Sequence, residues 1–326
     1  MISLGLALCL LVLLVLLAIL LSTGETHTER LFPITFSIPR EKLIQRTVSK
    51  TKVLSDLIPG DLSTYIYNTE ASYYEEYAKS LFATTTKKGG WDCMRHYEIL
   101  ACGCLPFFPG IEECPKSTMA LLPKRLLIES NALFSRLKTK RIEEISSGEM
   151  SEYRKLRDRL MAYTSKYLTT DNIARYVLAR TRHERARSVL YLSGCAYPDY
   201  LRCLTLHGLK TILGAKCHDF PKVAHIYYGD VARDYRGLYG KGFSYTGLLH
   251  PSMHDDALDT GIVERIKARE FDIVIYGSYH RGMPHYDIVR NVYKPHEVIL
   301  LCGEDLHACD YAKHTATGHY VFVREL

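Results

Sequence analysis

The sequence predicts an α/β chain: two parallel-sheet halves joined by a charged helical connector, behind an apolar leading segment. Three observations carry this. Strand-like and helix-like stretches alternate from about residue 33 to 108, and alternate again from 188 to the last residue. The stretch between them, 138 to 187, has helical spacing and is dense in charge. Repeated β-α-β units of this length call for a parallel sheet covered by helices. At 326 residues the chain is long enough for two domains of ordinary size.

In the first half, "PITFSI" reads as a strand, "REKLIQRTV" as a helix, "TYIYN" as a strand and "EASYYEEYAKS" as a helix. "LFATTT" is the next strand, followed by a basic glycine loop, a short helix and the strand "CLPFF". In the second half "SVLYLSG", "DIVIYGS", "EVILLCG" and "GHYVFVREL" read as strands. "YLRCLTLHGLKTIL", "GIVERIKARE" and "HYDIVRNVY" read as helices between them. The organisation predicted is a leading segment 1–22, a polar stalk 23–30, a first Rossmann-like domain 31–135, the connector 136–187 and a second Rossmann-like domain 188–326.

The leading segment holds an uncharged apolar run, residues 2–21, long enough to cross a bilayer as a helix. It has no basic n-region and no clean small-residue cleavage pattern, so it reads as an uncleaved single-pass anchor. Arg30, Arg40 and Lys42 follow it, and the positive-inside tendency assigns that side to the cytoplasm. Ten cysteines, one of them in the apolar run, do not fix the redox compartment. Cys102, Cys104 and Cys114 fit no structural zinc spacing and read as buried thiols or one disulfide.

Hydrophobic residues at 47% and charged residues at 24% are globular values. Thirteen Lys/Arg against seven Asp/Glu between 138 and 187 account for the whole net charge of +6. Acidic residues are interspersed there and no aromatic-plus-basic motif appears, so the connector reads as a solvated helical face and no nucleic-acid partner is expected. Thr170 or Asp171 can cap the helix "NIARYVLART". Neither half carries a Gly-x-Gly-x-x-Gly turn, which disfavours nicotinamide, flavin and Rossmann methyltransferase chemistry. "HDDALD", residues 254–259, superficially resembles an Asp-x-Asp metal motif, but helix capping explains it more simply, and no metal site is expected.

The stretch richest in chemistry is "KKGGWDCMRHYEILACGCLPFF". Gly89 and Gly90 let the backbone turn sharply and approach a ligand. Asp92 can cap the helix that follows, and the helix N-terminus with Lys87 and Lys88 suits a phosphate or pyrophosphate. Its position after the strand "LFATTT" is where open parallel sheets bind ligands. Asp92, Arg95 and Glu98 share one helix face, with Met94, Tyr97 and Ala101 on another. Arg95 can hold a phosphate and Glu98 can accept hydrogen bonds from sugar hydroxyls; the plainer reading is a cap and a surface ion-pair stripe.

"RHYEILACGCLPFF" resembles the donor-site motif of GT-B glycosyltransferases, especially exostosin-like and related algal or viral enzymes, over about residues 65 to 130. The resemblance implies that Arg95 contacts donor phosphate, that Glu98 lies near the donor's ribose or sugar, and that Gly103 makes the turn before "CLPFF". It implies a nucleotide-sugar donor with no cofactor and no metal requirement, and a glycan, protein or lipid acceptor. It also implies a lumenal catalytic part in the secretory pathway, against the orientation read from Arg30, Arg40 and Lys42. A base for the acceptor hydroxyl is expected from the second half. His280 and Asp305 are the candidates because each follows a strand end, although each also reads as a loop or capping residue.

Two departures stand out. In the Glu-x7-Glu pair of many GT-B enzymes Glu98 is the second member, but the first position here is Gly90. The donor-like motif also lies in the first half, where the acceptor half is usual, which suggests a circularly permuted order. A membrane-tethered nucleotide- or sugar-binding scaffold without activity is the alternative reading.

Overall fold

The computed structural model describes residues 29–195, 197, 199–229, 238–305 and 309–326. The apolar run 2–21 lies outside these. Among the described residues, no helix is long and apolar enough to cross a membrane.

Two parallel sheets organise the chain. The smaller contains β2 (Lys52–Leu54), β3 (Ser80–Thr84) and β4 (Leu105–Phe107), in the order β2-β3-β4. The larger is built from β1 (Leu31–Pro33), β5 (Val189–Leu192), β6 (Cys217–Phe220), β7 (Ile273–Tyr276), β8 (Val298–Cys302) and β9 (Tyr320–Val323). Its order is β1-β9-β8-β7-β5-β6, parallel throughout. Strands β5, β7 and β8 are buried along their whole length. That is why they read as continuous apolar runs rather than alternating ones.

The helices are α1 (Glu70–Lys79), α2 (Met94–Ala101), α3 (Lys124–Leu137), α4 (Ser147–Tyr163), α5 (Thr170–Arg180), α6 (Tyr200–Leu213), α7 (Asp256–Asp259), α8 (Ile262–Lys267), α9 (Tyr286–Val292) and α10 (Tyr311–Ala316). Helix α6 is capped by Asp199, whose carboxylate accepts the backbone N–H of Arg202 at 3.0 Å. Every residue from Leu201 to Lys210 is buried. The connector is α4 and α5, joined by a π-helical turn, Thr164–Leu168. Helix α4 packs on α3 and α5 packs on α6. The N-cap of α5 is Thr169, and its side chain makes no capping hydrogen bond, so neither Thr170 nor Asp171 caps it. Asp171 instead pairs with Arg40 at 2.9 Å.

Three readings of the first half are corrected. The expected strand "PITFSI" is not the first strand of the smaller sheet. Leu31–Pro33 pairs with β9, and the chain leaves that sheet through an isolated bridge between Ile38 and Thr169. The expected helix "REKLIQRTV" is a single 3₁₀ turn, Arg40–Lys42, whose charged residues reach out to Asp171 and, through Lys42, to Glu70 at 2.6 Å. "TYIYN" forms no strand; a 3₁₀ turn, Leu62–Thr64, leads into an irregular segment. Residues Leu31–Leu326 pack as one unit.

Candidate functional site

A cleft of about 600 Å³ opens where the strands of both sheets end. From the smaller sheet come the loop after β3 and the face of α2 that carries Arg95 and Glu98. From the larger come the start of α6, the turn after β7 and the turn after β8. Carboxyl ends of parallel strands leave such crevices because the helices covering the faces do not close over them.

Helix α2 supplies the two residues picked out by their spacing. All eight of its residues are buried, so its polar side chains have to find partners. Arg95 donates from Nε to the Tyr65 hydroxyl at 3.0 Å, with the guanidinium 5.9 Å from that ring. Its Nη1 is buried and has no hydrogen-bond partner. Glu98 accepts from the Ser244 hydroxyl at 2.6 Å and the Tyr73 hydroxyl at 2.7 Å. Burial raises its carboxyl above the usual range, against the two hydroxyls and Arg95. On the other face Met94, Tyr97 and Ala101 sit in the core.

The glycine loop is held by the chain's own acids. A Cβ on Gly89 would lie 2.6 Å from Asp305 Oδ2, and one on Gly90 would lie 2.4 Å from Glu325 Oε1. Glu325 accepts the backbone N–H of Trp91 at 2.9 Å and of Asp92 at 3.0 Å. These amides were expected to face a phosphate, and a carboxylate occupies them instead. The same carboxylate fills the space where a side chain at position 90 would begin. Lys88 lines the cleft, whereas Lys87 lies over the Trp91 ring, 4.9 Å from its centre.

Asp92 is not the helix cap. Cys93 is the N-cap, without a side-chain hydrogen bond. The Asp92 carboxylate turns inward, accepting from Phe36 N at 2.7 Å and Tyr97 Oη at 2.8 Å, and burial raises its pKa despite Arg324 nearby. Gly103 is a structural turn outside the cleft lining. With φ at +60° it ends α2. Its carbonyl accepts from Lys50 Nζ at 2.9 Å and the Tyr153 hydroxyl at 3.1 Å.

On the facing wall, Asp305 lines the cleft while pairing with the buried Arg324. His280 does not line it. Its side chain is 3% exposed and stands behind Arg281, whose Nε lies 3.2 Å from His280 Nε2. Burial lowers its pKa, so neutral imidazole is the favoured form. Arg281, Asp199, Tyr200 and Glu304 are site residues the sequence did not single out. Arg281 Nε lies 3.3 Å from Asp199 Oδ2. The signal available was positional: each follows a strand end or opens a helix.

The segment from Leu238 to Gly247 leaves the second half and reaches α1. Lys241 donates to the Tyr67 carbonyl at 2.6 Å, and Ser244 N to Glu70 Oε1 at 2.9 Å. Lys241 and Ser244 are non-glycine residues at φ of 56° and 73°. Strained backbone of this kind persists where surrounding contacts over-determine it. Here the strain aims the Ser244 hydroxyl at Glu98.

Cys102, Cys104 and Cys114 are free buried thiols. A disulfide joins Cys302 to Cys309 instead, closing the loop that carries Glu304 and Asp305. Compared with family models, curated proteins and solved structures, the chain matches none.

Proposed function

We propose that the chain is a nucleotide-sugar-dependent glycosyltransferase of GT-B-like architecture, transferring a sugar to a glycan, protein or lipid acceptor from a membrane-anchored position. The observation that carries this reading is Arg95: a buried guanidinium with an unpartnered Nη1, opening on a cleft that also holds Lys88, Arg281 and several carboxylates. A guanidinium remains charged and presents a planar fork suited to phosphate oxygens. Tyr65, Tyr200 and Phe243 offer flat faces for a base or sugar, and Glu98 and Glu304 offer acceptors for hydroxyls.

In this reading the diphosphate lies against Arg95 and Lys88 rather than on the loop amides, because Glu325 holds those. Cations fixed around the leaving nucleoside diphosphate stabilise the charge that develops as the glycosidic bond breaks. Asp305 and Glu304 are the carboxylates on the facing wall that can take the acceptor's proton; His280 acts only through Arg281. The circularly permuted order rests on the donor-like motif lying in the first half, with Asp199, Arg281 and Glu304 of the second half across the cleft from it.

One observation favours the alternative, a membrane-tethered nucleotide- or sugar-binding scaffold. The Trp91 and Asp92 amides are already taken by Glu325, so they are not free to stabilise a leaving diphosphate.

The test is a donor-hydrolysis screen of the full chain against UDP- and GDP-sugars, with Arg95→Gln and Glu98→Gln beside the wild type. A hydrogen bond to a charged group contributes about 1.5–3 kcal/mol, so each variant should cut nucleoside-diphosphate release by roughly ten- to a hundred-fold. If no donor is hydrolysed but UDP or GDP raises the Tm, the scaffold reading stands. If neither hydrolysis nor stabilisation is seen, both readings fail.

A further inference from the structure

We propose that His218, His254 and Asp259 form a binding site for one divalent transition metal ion, with zinc the best match to the donor set. The three come from different elements: His218 from β6, His254 from the turn before α7, and Asp259 from the last position of α7. One ligand atom from each lies within 4.8 Å of the others. His218 Nε2 is 2.8 Å from Asp259 Oδ1, and His254 Nε2 is 3.3 Å from Asp259 Oδ2. Two ligands of a tetrahedral zinc at about 2.0–2.1 Å are roughly 3.3 Å apart, a spacing the His254–Asp259 pair already has, and side-chain adjustment within the 4.8 Å that encloses all three ligand atoms seats the ion. Two imidazoles and one carboxylate suit zinc and leave a fourth position for water.

The surroundings are those of a built site. His254 Nδ1 lies 3.0 Å from Asp219 Oδ1, which fixes the ring and leaves Nε2 to point at the other two ligands. A carboxylate behind a ligand histidine is the usual support of a zinc site. Asp219 is itself fully buried and anchored by Lys210 Nζ at 3.0 Å, Tyr227 Oη at 2.6 Å and Val223 N at 2.9 Å. The imidazole rings of His218 and His254 stack with centres 4.8 Å apart, and both side chains are nearly inaccessible. Asp259 is 31% exposed, which leaves a path for an ion, and His218 also borders a cleft of about 330 Å³.

Beside the ligands, Asp219 pairs with Lys210 and with His254, and Asp256 with Lys222 and His254, while Arg187 and Lys216 border the cleft next to His218. The "HDDALD" stretch thus has two parts. Asp255 does cap α7, accepting Ala257 N at 3.0 Å, while His254 and Asp259 turn to meet His218. The site is separate from the cleft: Tyr200 and Lys210 are ten residues apart on α6, or about 15 Å along its axis. An ion here ties the edge strand β6 to α7, independently of the transferase reading.

The experiment uses the full chain stripped with a chelator, then titrated with Co²⁺ and afterwards with Zn²⁺. The expected result is uptake of one equivalent of Co²⁺ with ligand-field absorption in the visible, displacement by Zn²⁺, and a Tm raised by either ion. Asp259→Asn, which keeps size and sits partly exposed, should weaken Zn²⁺ binding at least ten-fold with an unchanged circular dichroism spectrum. His254→Gln should abolish the Co²⁺ absorption. Failure of the folded wild type to take up either ion overturns the proposal, and so does uptake that neither substitution alters.

Discussion

The Glu325 carboxylate accepts the backbone N–H of Asp92 at 3.0 Å, across 233 residues of chain. One side chain past the end of the larger sheet therefore sets the conformation of the loop that starts α2. Arg324 stands beside it and donates to the Asp92 carbonyl, the Gly303 carbonyl, Asp305 and Glu325. Through these bonds the wall carrying Arg95 and the wall carrying Asp305 are positioned by two adjacent residues.

Gly90→Ala should destabilise the protein by about 2 kcal/mol, because its Cβ has no room beside the Glu325 carboxylate. In a double-mutant cycle with Glu325→Ala the penalty should largely vanish, since the clashing group is gone. Urea titrations of the four proteins measure the coupling. Additive effects would mean that the glycine serves backbone freedom alone and that Glu325 does not set the loop.

Arg324→Ala should cost about 3–5 kcal/mol. It removes the cation beside Glu325 and leaves the Asp92 and Gly303 carbonyls without that buried guanidinium as donor. Arg324→Lys should recover only part of that, since an ammonium cannot reproduce a planar fork spread over four acceptors. Equal stability of the Lys variant and the wild type would show that charge alone matters.

Much of the larger sheet was legible in the sequence. Helix α6 matches its predicted span, and β5, β7 and β8 fall inside their predicted runs, because burial on all sides demands apolar residues throughout. Strand β6 escaped notice because "CHDF" carries His218 and Asp219, polar residues that serve a buried cluster rather than the strand's own pattern. "TYIYN" alternates like a strand but has no partner; Tyr65 and Tyr67 face the cleft. Arg95 and Glu98 could be read from their spacing on one short helix. Arg281, Asp199 and Glu304 could not, because they meet that helix only through the packing of the two sheets. The glycine loop misled for the same reason. Its composition advertised room for an anion but gave no sign that the anion was Glu325.

Glu98 gives stability a pH dependence opposite to that of an ordinary ion-paired acid. Burial raises its carboxyl above the ordinary value of 4.5, so the folded state holds the proton more firmly than the unfolded chain does. Between 4.5 and the raised value the folded form binds more protons, and this contribution makes stability fall as pH rises through that window. Glu98→Gln should remove the slope while changing stability by no more than about 1 kcal/mol, because the amide can still bond to Tyr73 and Ser244. Tm measured against pH for both proteins is the check, and an identical slope in the variant would assign the dependence elsewhere.

Two glycines in helices separate packing from propensity. A Cβ on Gly208 of α6 would lie 2.0 Å from the Thr170 carbonyl oxygen and 2.5 Å from its carbon, both backbone atoms of α5. Neither can move unless the helices part, so Gly208→Ala should cost about 3 kcal/mol or more and loosen the connector from the second half. Gly148, in the first turn of α4, has no neighbour closer than Ser146 Oγ at 4.0 Å. Gly148→Ala should therefore stabilise by about 0.5 kcal/mol through the restricted unfolded chain. Opposite signs in urea titrations of these two variants would establish that α5 and α6 meet by direct backbone contact. A mild effect at Gly208 would mean that the helices sit further apart.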